Sequence, residues 1–476
     1  MSGKKRRASR VTSRAPKKKW SLLAYIAGDN NLSSAGLKDI QEMCDEGSSP
    51  RVHVGVEIDT HGEFTGSVRY EISEKDWSGA AHRIVIDRLA EQDSGDPKSL
   101  TAFLKWGHER YPAENSLVVI WNHGSGFRSV RRDVGYDDFG SSLDMPEIEI
   151  ALRNAGIGPN NPITVLGFDA CLMNMLEIAH HLKEQVKILV GSQQTEPNDG
   201  WPYDQVLTEV KAAQSPRVLA AKIVDVYIRS YRNAGQTNVT QSAVDVDATQ
   251  DAVKALGALG DALRAALPAC GEAIRDARMT AQVFKMADYV DLIHLAETLR
   301  DRVPCNRVAQ AAGQLISATK GCIIHNGRFG DAVKNANGLS VWFPYDAATY
   351  VQYRGKYLDL KCAQQEPGWV KFLDVYHQAV RTVLPAPTRQ AGFTGCMDLV
   401  SAARIVQECC PGGSQNTPLK KACGQTQAQR AGFRKCVFDR VRQTCCIRLE
   451  DIPNGADTTL GEVVLAIVDK ATFPPC

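Results

Sequence analysis

Short, almost continuously apolar segments alternate with amphipathic helical segments along most of this chain, and this alternation constrains its fold. From Trp20 onwards, apolar runs such as residues 52–58, 116–121 and 163–168 are separated by stretches with helical spacing. Strands of a parallel sheet are buried on both faces and have such runs, so the pattern predicts an α/β protein with a mostly parallel central sheet. At 476 residues the chain exceeds what one hydrophobic core usually serves, so more than one domain is expected.

Two of the predicted strands end in residues that can perform chemistry. The run at residues 163–168 leads into Asp169 and Cys171, and the run at residues 116–121 leads to His123. Parallel strands end at the same edge of a sheet, so a Cys and a His are expected side by side. A helix starting directly after Cys171 would favour the thiolate through its dipole. A cysteine in such a position is most often a packed core thiol, and only its joint placement with the histidine favours catalysis.

Each part of a thiol-based acyl transfer has a candidate in these segments. Cys171 would attack a carbonyl carbon, and His123 would act as the general acid towards the leaving amine. The backbone N–H groups of Gly124 and Cys171 would hold the tetrahedral oxyanion, because a glycine permits close approach of the chain. The polar and aromatic loop at residues 193–203 is expected to form a pocket wall at the same edge. The pair His180 and His181 is predicted to lie on a helix surface.

The cysteines are concentrated near the C-terminus. Eight of the fourteen fall in the last 81 residues: Cys396, Cys409, Cys410, Cys423, Cys436, Cys445, Cys446 and Cys476. Such density predicts a small helical module, residues 395–476, stapled by four disulfides of unknown connectivity; zinc binding and reduced thiols remain alternatives. Residues 384–394 begin with two prolines in four residues and are the predicted linker from the globular body at residues 20–383.

The N-terminus is strongly basic although the whole chain carries a formal net charge of only +2. Nine of the first twenty residues are Lys or Arg, so residues 1–19 are predicted to be a disordered tail. The tail lacks interleaved aromatic residues, and at most weak binding to nucleic acid or an acidic surface is expected from it. The rest of the chain has no overall electrostatic preference for nucleic acid or membrane.

The cellular location is predicted from two observations that disagree. Residues 20–28 follow the lysines like the apolar part of a signal peptide, but no convincing cleavage site follows them. No run approaches the roughly twenty apolar residues of a membrane span. Disulfides would place the protein outside the cytoplasm or in the secreted fraction, whereas the absence of a clear export signal leaves a cytoplasmic location as the alternative.

Six short segments in a fixed order carry a further pattern. They are AGDNNL at residues 27–32, GDPKSL at 95–100, NHGSGF at 122–127, GFDAC at 167–171, EPNDGWPY at 196–203 and GLSVWFP at 338–344. Together these segments resemble those of clostripain-type cysteine peptidases of family C11, clan CD, which are relatives of caspases, gingipains and legumain. The resemblance covers roughly residues 20–380.

The resemblance implies a caspase-like α/β/α sandwich and cleavage of peptide or protein substrates after Arg, sometimes Lys, by a dyad of His123 and Cys171. Asp169 falls on the family acid associated with the basic P1 side chain, and Asp199 is a candidate for a second pocket acid. A carboxylate in a partly desolvated pocket pairs well with a guanidinium group. Capping of the helix after Cys171 is the alternative role for Asp169.

The resemblance also implies activation by self-cleavage in the loop after the histidine and by calcium. Arg131 and Arg132 are the candidate cleavage sites, with a solvated basic loop as the alternative. Asp137, Asp138 and Asp144 offer oxygen ligands, but no ordered calcium loop is visible, and the chemistry itself requires no cofactor. In this interpretation residues 20–215 form the catalytic core and residues 216–383 an accessory α/β part. The alternative function is an inactive relative that binds partners through its Cys-rich module and basic tail.

Overall fold

The structure is a computed structural model that describes residues 17–60, 66–128, 141–383 and 435–437. The chain divides into two compact units, residues 1–383 and 384–476. In the second unit, Cys436 is disulfide-bonded. The predicted linker, the other seven C-terminal cysteines, most of the basic tail and the candidate cleavage sites Arg131 and Arg132 lie outside the described residues.

Eleven strands are present in the described residues. They are β1 (Lys18–Gly28), β2 (Val52–Thr60), β3 (Val68–Ile72), β4 (Arg83–Arg88), β5 (Ala113–Trp121), β6 (Ile163–Asp169), β7 (Val186–Gly191), β8 (Val239–Asp245), β9 (Tyr289–Asp291), β10 (Ile323–Phe329) and β11 (Ser340–Trp342). Nine of them form one sheet in the order β10-β8-β7-β6-β5-β1-β2-β3-β4, and β9 pairs with β11 separately. The five central strands, β7, β6, β5, β1 and β2, are parallel to one another. Antiparallel pairing adds β8 and β10 at one edge and β3 and β4 at the other. The predicted mostly parallel sheet is confirmed.

Twelve α-helices in the described residues connect and cover these strands. They are α1 (Ser33–Glu46), α2 (Pro97–Arg110), α3 (Met145–Asn154), α4 (Leu176–His181), α5 (Tyr203–Ala212), α6 (Pro216–Asn233), α7 (Thr249–Thr280), α8 (Leu292–Arg302), α9 (Asn306–Cys322), α10 (Ala347–Leu358), α11 (Lys361–Gln365) and α12 (Gly368–Val383). No helix among the described residues combines the length and apolarity that crossing a bilayer requires.

The sheet separates two hydrophobic cores. Side chains alternate across β1, with Leu23 and Tyr25 in one core and Leu22 and Ala24 in the other, as the two-residue period of a strand requires. Helices α1, α5 and α6 contribute to the core on one face, and α2, α3, α4 and α7 to the core on the other. The result is the expected three-layer α/β/α arrangement.

Strand β1 begins at Lys18, two residues earlier than the sequence predicts. The Lys18 N–H donates to the Pro112 carbonyl oxygen at 3.2 Å and the Lys19 N–H to the Arg51 carbonyl oxygen at 2.9 Å, so the backbone pairing already includes both residues. Residues 216–383, the predicted accessory part, contribute β8 and β10 to the central sheet.

The expectation that His180 and His181 lie on a helix surface is wrong. Both side chains are buried, because α4 is packed against α3, α7 and α11. The His180 ring contacts Thr249 Oγ1 at 3.2 Å, and His181 Nε2 lies 3.2 Å from Glu149 Oε2. Desolvation lowers the pKa of His181 to about 4, so the ring is neutral in this environment.

Glu177 on α4 is a buried acid that joins the helix to the 338–344 segment. Its Oε1 accepts hydrogen bonds from the Trp342 N–H at 2.8 Å and from the Tyr357 hydroxyl at 3.2 Å. No donor among the described residues binds Oε2. Desolvation raises the pKa of Glu177 to about 7. Below this pH the folded protein keeps the Glu177 proton, even where the carboxyl group of the unfolded chain is already ionised.

We expect Glu177→Gln to remove part of the pH dependence of stability. The raised pKa adds to the free energy of unfolding. This stabilisation is fully present below pH 4.5, the ordinary pKa of a glutamate, and is lost as the pH rises through about 7. The loss amounts to about 3 kcal/mol at most. Urea unfolding between pH 4 and 8 should show a smaller fall in unfolding free energy for Glu177→Gln than for the wild type. The exposed acid Glu272 on α7 supplies the control Glu272→Gln, and identical pH slopes for all three proteins would contradict the assignment.

Candidate active site

His123 and Cys171 lie beyond the carboxyl ends of neighbouring parallel strands. Trp121 at the end of β5 pairs in register with Asp169 at the end of β6, and each candidate residue follows two positions later. A Cβ atom at Gly124 would collide with the backbone carbonyl oxygen of Cys171 and would lie 2.8 Å from its nitrogen. Only glycine therefore permits this approach of the two strand ends, as the sequence predicts.

The chain after Cys171 forms a tight turn instead of the predicted helix. Leu172 has a φ of 65°, in the left-handed region that a branched side chain rarely adopts, and its N–H donates to the Gln194 carbonyl oxygen at 3.1 Å. Helix α4 begins only at Leu176. The prediction that a helix dipole stabilises the thiolate is therefore wrong, because no helix N-terminus lies at Cys171.

The Cys171 thiol is surrounded by backbone groups of the loop after β7. The Glu196 N–H donates to Sγ at 3.2 Å. Desolvation nevertheless raises the pKa of Cys171 above its ordinary value, against the effect of the N–H groups of Glu196, Cys171 and Gly124. Backbone N–H groups therefore lie at the sulfur, and the oxyanion role of Gly124 and Cys171 stays a prediction.

The His123 ring is oriented by Asn31. Its Nε2 lies 2.9 Å from Asn31 Oδ1, so Nε2 carries the hydrogen when the amide oxygen is the acceptor. Asn31 follows β1, the strand on the far side of β5 from β6. The Asn122 side-chain amide donates to the Ala27 carbonyl oxygen at 2.7 Å and thereby joins the end of β5 to the end of β1.

Asp169 is buried behind the nucleophile, with 4% of its surface exposed. Its Oδ2 accepts hydrogen bonds from the Trp201 N–H at 3.2 Å and from the Tyr203 hydroxyl at 2.9 Å. The capping alternative is wrong, because the N-cap residue of α4 is Met175 and no side chain caps that helix. The carboxylate instead holds the loop at residues 196–203.

Asp199 has a different environment from Asp169. Its side chain is 59% exposed and forms an ion pair with the ammonium group of Lys38 on α1 at 2.9 Å. The structure therefore places one candidate pocket acid in the interior and the other on the surface of the same loop.

Two further buried carboxyl groups lie near Asp169 that the sequence analysis did not assign. The Glu196 carboxyl group contacts that of Asp169, and Asp39 on α1 accepts a hydrogen bond from Trp121 Nε1 at 2.7 Å. Desolvation, followed by the charge of Asp169, raises the pKa of Asp39 to about 9. Glu196 is the first residue of segment 196–203, and Asn31 lies within segment 27–32. Both segments are among the six that carry the family resemblance, which is the signal by which the sequence could have pointed to these residues.

Residues from the predicted accessory part hold the turn after Cys171. The Asn174 side-chain amide donates to the Gly338 carbonyl oxygen at 2.9 Å, and the Ser340 N–H donates to the Asn174 carbonyl oxygen at 3.1 Å. Gln193 donates to the buried Asp291 carboxylate at 3.0 Å and accepts from the Gly338 N–H at 2.8 Å. The 338–344 segment thus belongs to the support of the site.

The chain after His123 is anchored before it leaves the described residues. Phe127 packs against Trp342, and the buried Arg128 forms an ion pair with Asp288 and lies over the Tyr353 ring at 4.3 Å. The following residues 129–140 include the candidate cleavage sites and lie outside the described residues.

Of the three candidate calcium ligands, only Asp144 lies within the described residues. Asp144 caps α3 by accepting from the Glu147 N–H at 3.0 Å, while Asp137 and Asp138 lie outside the described residues. Within the described ranges, no group of three or more His, Cys, Asp or Glu side chains is arranged to hold a metal ion.

We expect the Cys171 thiol of the full-length chain to react slowly with iodoacetamide at neutral pH. Burial raises its pKa above the ordinary value of 9, so the alkylation rate should continue to rise beyond pH 9. Peptide mass spectrometry resolves Cys171 from the half-buried Cys305, which serves as an internal reference, and Cys171→Ala verifies the assignment. A rate that levels off below pH 8 would instead show a stabilised thiolate.

Solved structures with the same fold include two bacterial proteases. A secreted C11 cysteine protease from Bacteroides thetaiotaomicron, in complex with an irreversible peptide inhibitor, has a TM-score of 0.57 at 20% identity and matches 75% of this chain and 99% of its own. An inactive zymogen C11 protease from Parabacteroides distasonis has a TM-score of 0.58 at 15% identity and matches 74% of this chain and 99% of its own. At these identities the likeness establishes the fold.

The sequence also matches a clostripain and a family profile. Clostripain from Hathewaya histolytica is 25% identical over 236 residues, which cover 42% of this chain and 44% of clostripain, so the match spans less than half the length of that relative. The clostripain family profile, peptidase C11, matches residues 24–376, most of the chain. With a matched region that contains both strand ends and their candidate residues, the chain belongs to the clostripain family.

Proposed function

We propose that the protein is a cysteine endopeptidase that cleaves after Arg or Lys. The observation that carries the proposal is the placement of His123 and Cys171 at equivalent positions beyond two paired parallel strands, in a member of the clostripain family. The contact between the Gly124 and Cys171 backbones supports it, because it brings two N–H donors towards the sulfur. No observation favours the alternative of an inactive binding module.

In the proposed reaction, Cys171 Sγ forms a bond to the scissile carbonyl carbon as the thiol proton passes to His123. The N–H groups of Gly124 and Cys171 stabilise the oxyanion, and His123 passes the proton to the leaving amine as the C–N bond breaks. A thioester results. Water then attacks the thioester, His123 accepts a proton from that water, and the thiol is restored with release of the carboxylate product.

The preference for a basic P1 residue is inferred from the charge behind the nucleophile. Asp169 is two residues from Cys171, and no Lys or Arg among the described residues forms an ion pair with it. A buried carboxylate without a cationic partner is a favourable site for a guanidinium or ammonium group. Asp199, at the surface of the same loop, is paired with Lys38 and would exchange that ammonium group for the cation of the substrate.

Self-cleavage after Arg131 or Arg132 is part of this proposal. Arg128, in the same loop, is buried and paired with Asp288, and a protease would not reach it without breaking that contact. Calcium activation and a location outside the cytoplasm also remain proposals. The secreted state of the Bacteroides protease with the same fold and the disulfide at Cys436 support that location.

We expect fluorogenic peptides to be cleaved with Arg at P1, more weakly with Lys and not with Asp. Cys171→Ala should abolish cleavage of every peptide and of the 129–140 loop, because the nucleophile is removed. Release of the fluorophore is measured with and without calcium, and intact mass spectrometry follows the loop. Cys305→Ala is the matched control, since this half-buried thiol lies outside the site and its loss should leave the rate unchanged. Absence of thiol-dependent cleavage under either condition would refute the proposal, and a preference for Asp would remove Asp169 as the specificity acid.

We expect Asn31→Ala to lower kcat about tenfold with little change in KM. One hydrogen bond that orients His123 is lost, and a tenfold change corresponds to about 1.4 kcal/mol, within the range that one hydrogen bond contributes. Asn31→Asp retains the acceptor but adds a negative charge, so the alkaline limb of the kcat profile should move to higher pH. Asn233→Ala at the exposed end of α6 is the control. Unchanged kcat in Asn31→Ala, or an unmoved limb in Asn31→Asp, would show that Asn31 does not position the ring.

A further inference from the structure

Glu196 combines two features that the proposed mechanism does not use. Its backbone N–H lies 3.2 Å from the Cys171 sulfur, and its side chain turns inwards to contact the Asp169 carboxyl group. Both carboxyl oxygens of Glu196 are shielded from solvent and receive no hydrogen bond from an N–H or O–H group of the described residues. An acid thus lies directly beside the proposed P1 acid.

Within the described part of the chain, the surroundings of this carboxyl pair contain hydroxyl groups and acids but no cation. Tyr203 on α5 donates to Asp169 at 2.9 Å, and the phenols of Tyr227 and Tyr231 on α6 lie near Glu196. No described residue forms a hydrogen bond with the Tyr227 hydroxyl. Asp39 on α1 adds a third buried carboxyl group, and its Oδ1 has no hydrogen-bond partner among the same residues.

Two carboxylates in contact without a cation cannot both be ionised at low energetic cost, so they hold one proton between them. Desolvation and the charge of Asp169 accordingly raise the pKa of Glu196 well above its ordinary value. Tyr203 and the Trp201 N–H donate to Asp169 and thereby favour the ionised form on that residue. The proton therefore resides on Glu196 and is donated to Asp169.

We propose that Glu196 and Asp169 together form the P1 site, in which they share one proton until the guanidinium or ammonium group of the substrate replaces it. This inference rests on the proposed cleavage after Arg or Lys. No heavy-atom bond changes on binding: the pair passes from a charge of −1 to −2, the ligand contributes +1, and the proton leaves to solvent. Glu196 is then a specificity-determining residue beside the expected Asp169.

The consequence is that binding of a basic P1 residue releases a proton. Affinity for such a ligand should therefore rise with pH by up to about tenfold per unit, until the pair is fully ionised. A citrulline ligand has the shape of arginine without its charge, so it displaces no proton and should bind independently of pH.

The test uses the full-length chain with Cys171→Ala, which binds peptides without cleaving them. Calorimetric titration with a blocked tripeptide amide ending in arginine, in two buffers of different ionisation enthalpy, gives the number of protons released. We expect close to one for the arginine peptide and none for its citrulline analogue. Equal values for the two peptides would overturn the inference, and this comparison requires no change at Glu196.

A second arm introduces Glu196→Gln into the same background. The glutamine amide donates permanently to Asp169, so proton release should vanish and affinity for the arginine peptide should fall at least tenfold at high pH. Affinity for the citrulline peptide should stay unchanged, which shows that the pocket is intact. Glu209→Gln on α5 controls for the loss of one negative charge.

The two proposals fail in different ways. If the wild-type chain does not cleave arginine peptides, the proposed function fails. If it cleaves them while the Cys171→Ala chain releases no proton, or while Glu196→Gln retains the release, only the role of Glu196 fails.

Discussion

The parallel pairing of β5 with β6 is the constraint on which the site depends. Five register pairs, from Leu117 with Val165 to Trp121 with Asp169, fix the two strand ends at the same height. The backbone of Gly124 then lies against that of Cys171, at a separation that no side chain at position 124 would permit. The distance between the two candidate residues is thus a property of the sheet, not of flexible loops.

The strand ends alone do not make the site rigid, because the turn after Cys171 contains a residue in a left-handed conformation. Strained backbone of this kind persists only when its surroundings over-determine it. Here Gln194 and Ser192 accept hydrogen bonds from the turn, and Gly338 and Ser340 bind its Asn174 from the other side. Residues more than 150 positions later in the chain therefore hold the nucleophile in place.

The sequence predicts the sheet, the two strand ends and the glycine contact, since each depends on local apolar runs and on the common direction of parallel strands. It does not predict the turn at Leu172, because a helical pattern resumes from residue 176 and hides the five irregular residues before it. The burial of His180 and His181 was also missed, since α7 and α11, which cover them, follow much later in the chain. The roles proposed for Glu196 and Asn31 depend on contacts across the sheet edge. A sequence motif shows where such residues lie in the chain but not which groups they contact.

The order of the strands gives one more property to the molecule. Residues 129–140 lie in the connection from β5 to β6, which are neighbours near the middle of a nine-stranded sheet. A cut in this connection would leave β1 to β5 on one polypeptide and β6 to β11 on the other, with His123 and Cys171 on different chains. The halves would remain joined by the central ladder, and the Arg128–Asp288 ion pair would fasten the new end. Once such a protein is denatured, regaining the native state becomes a second-order association of two fragments, so the yield of active protein depends on concentration.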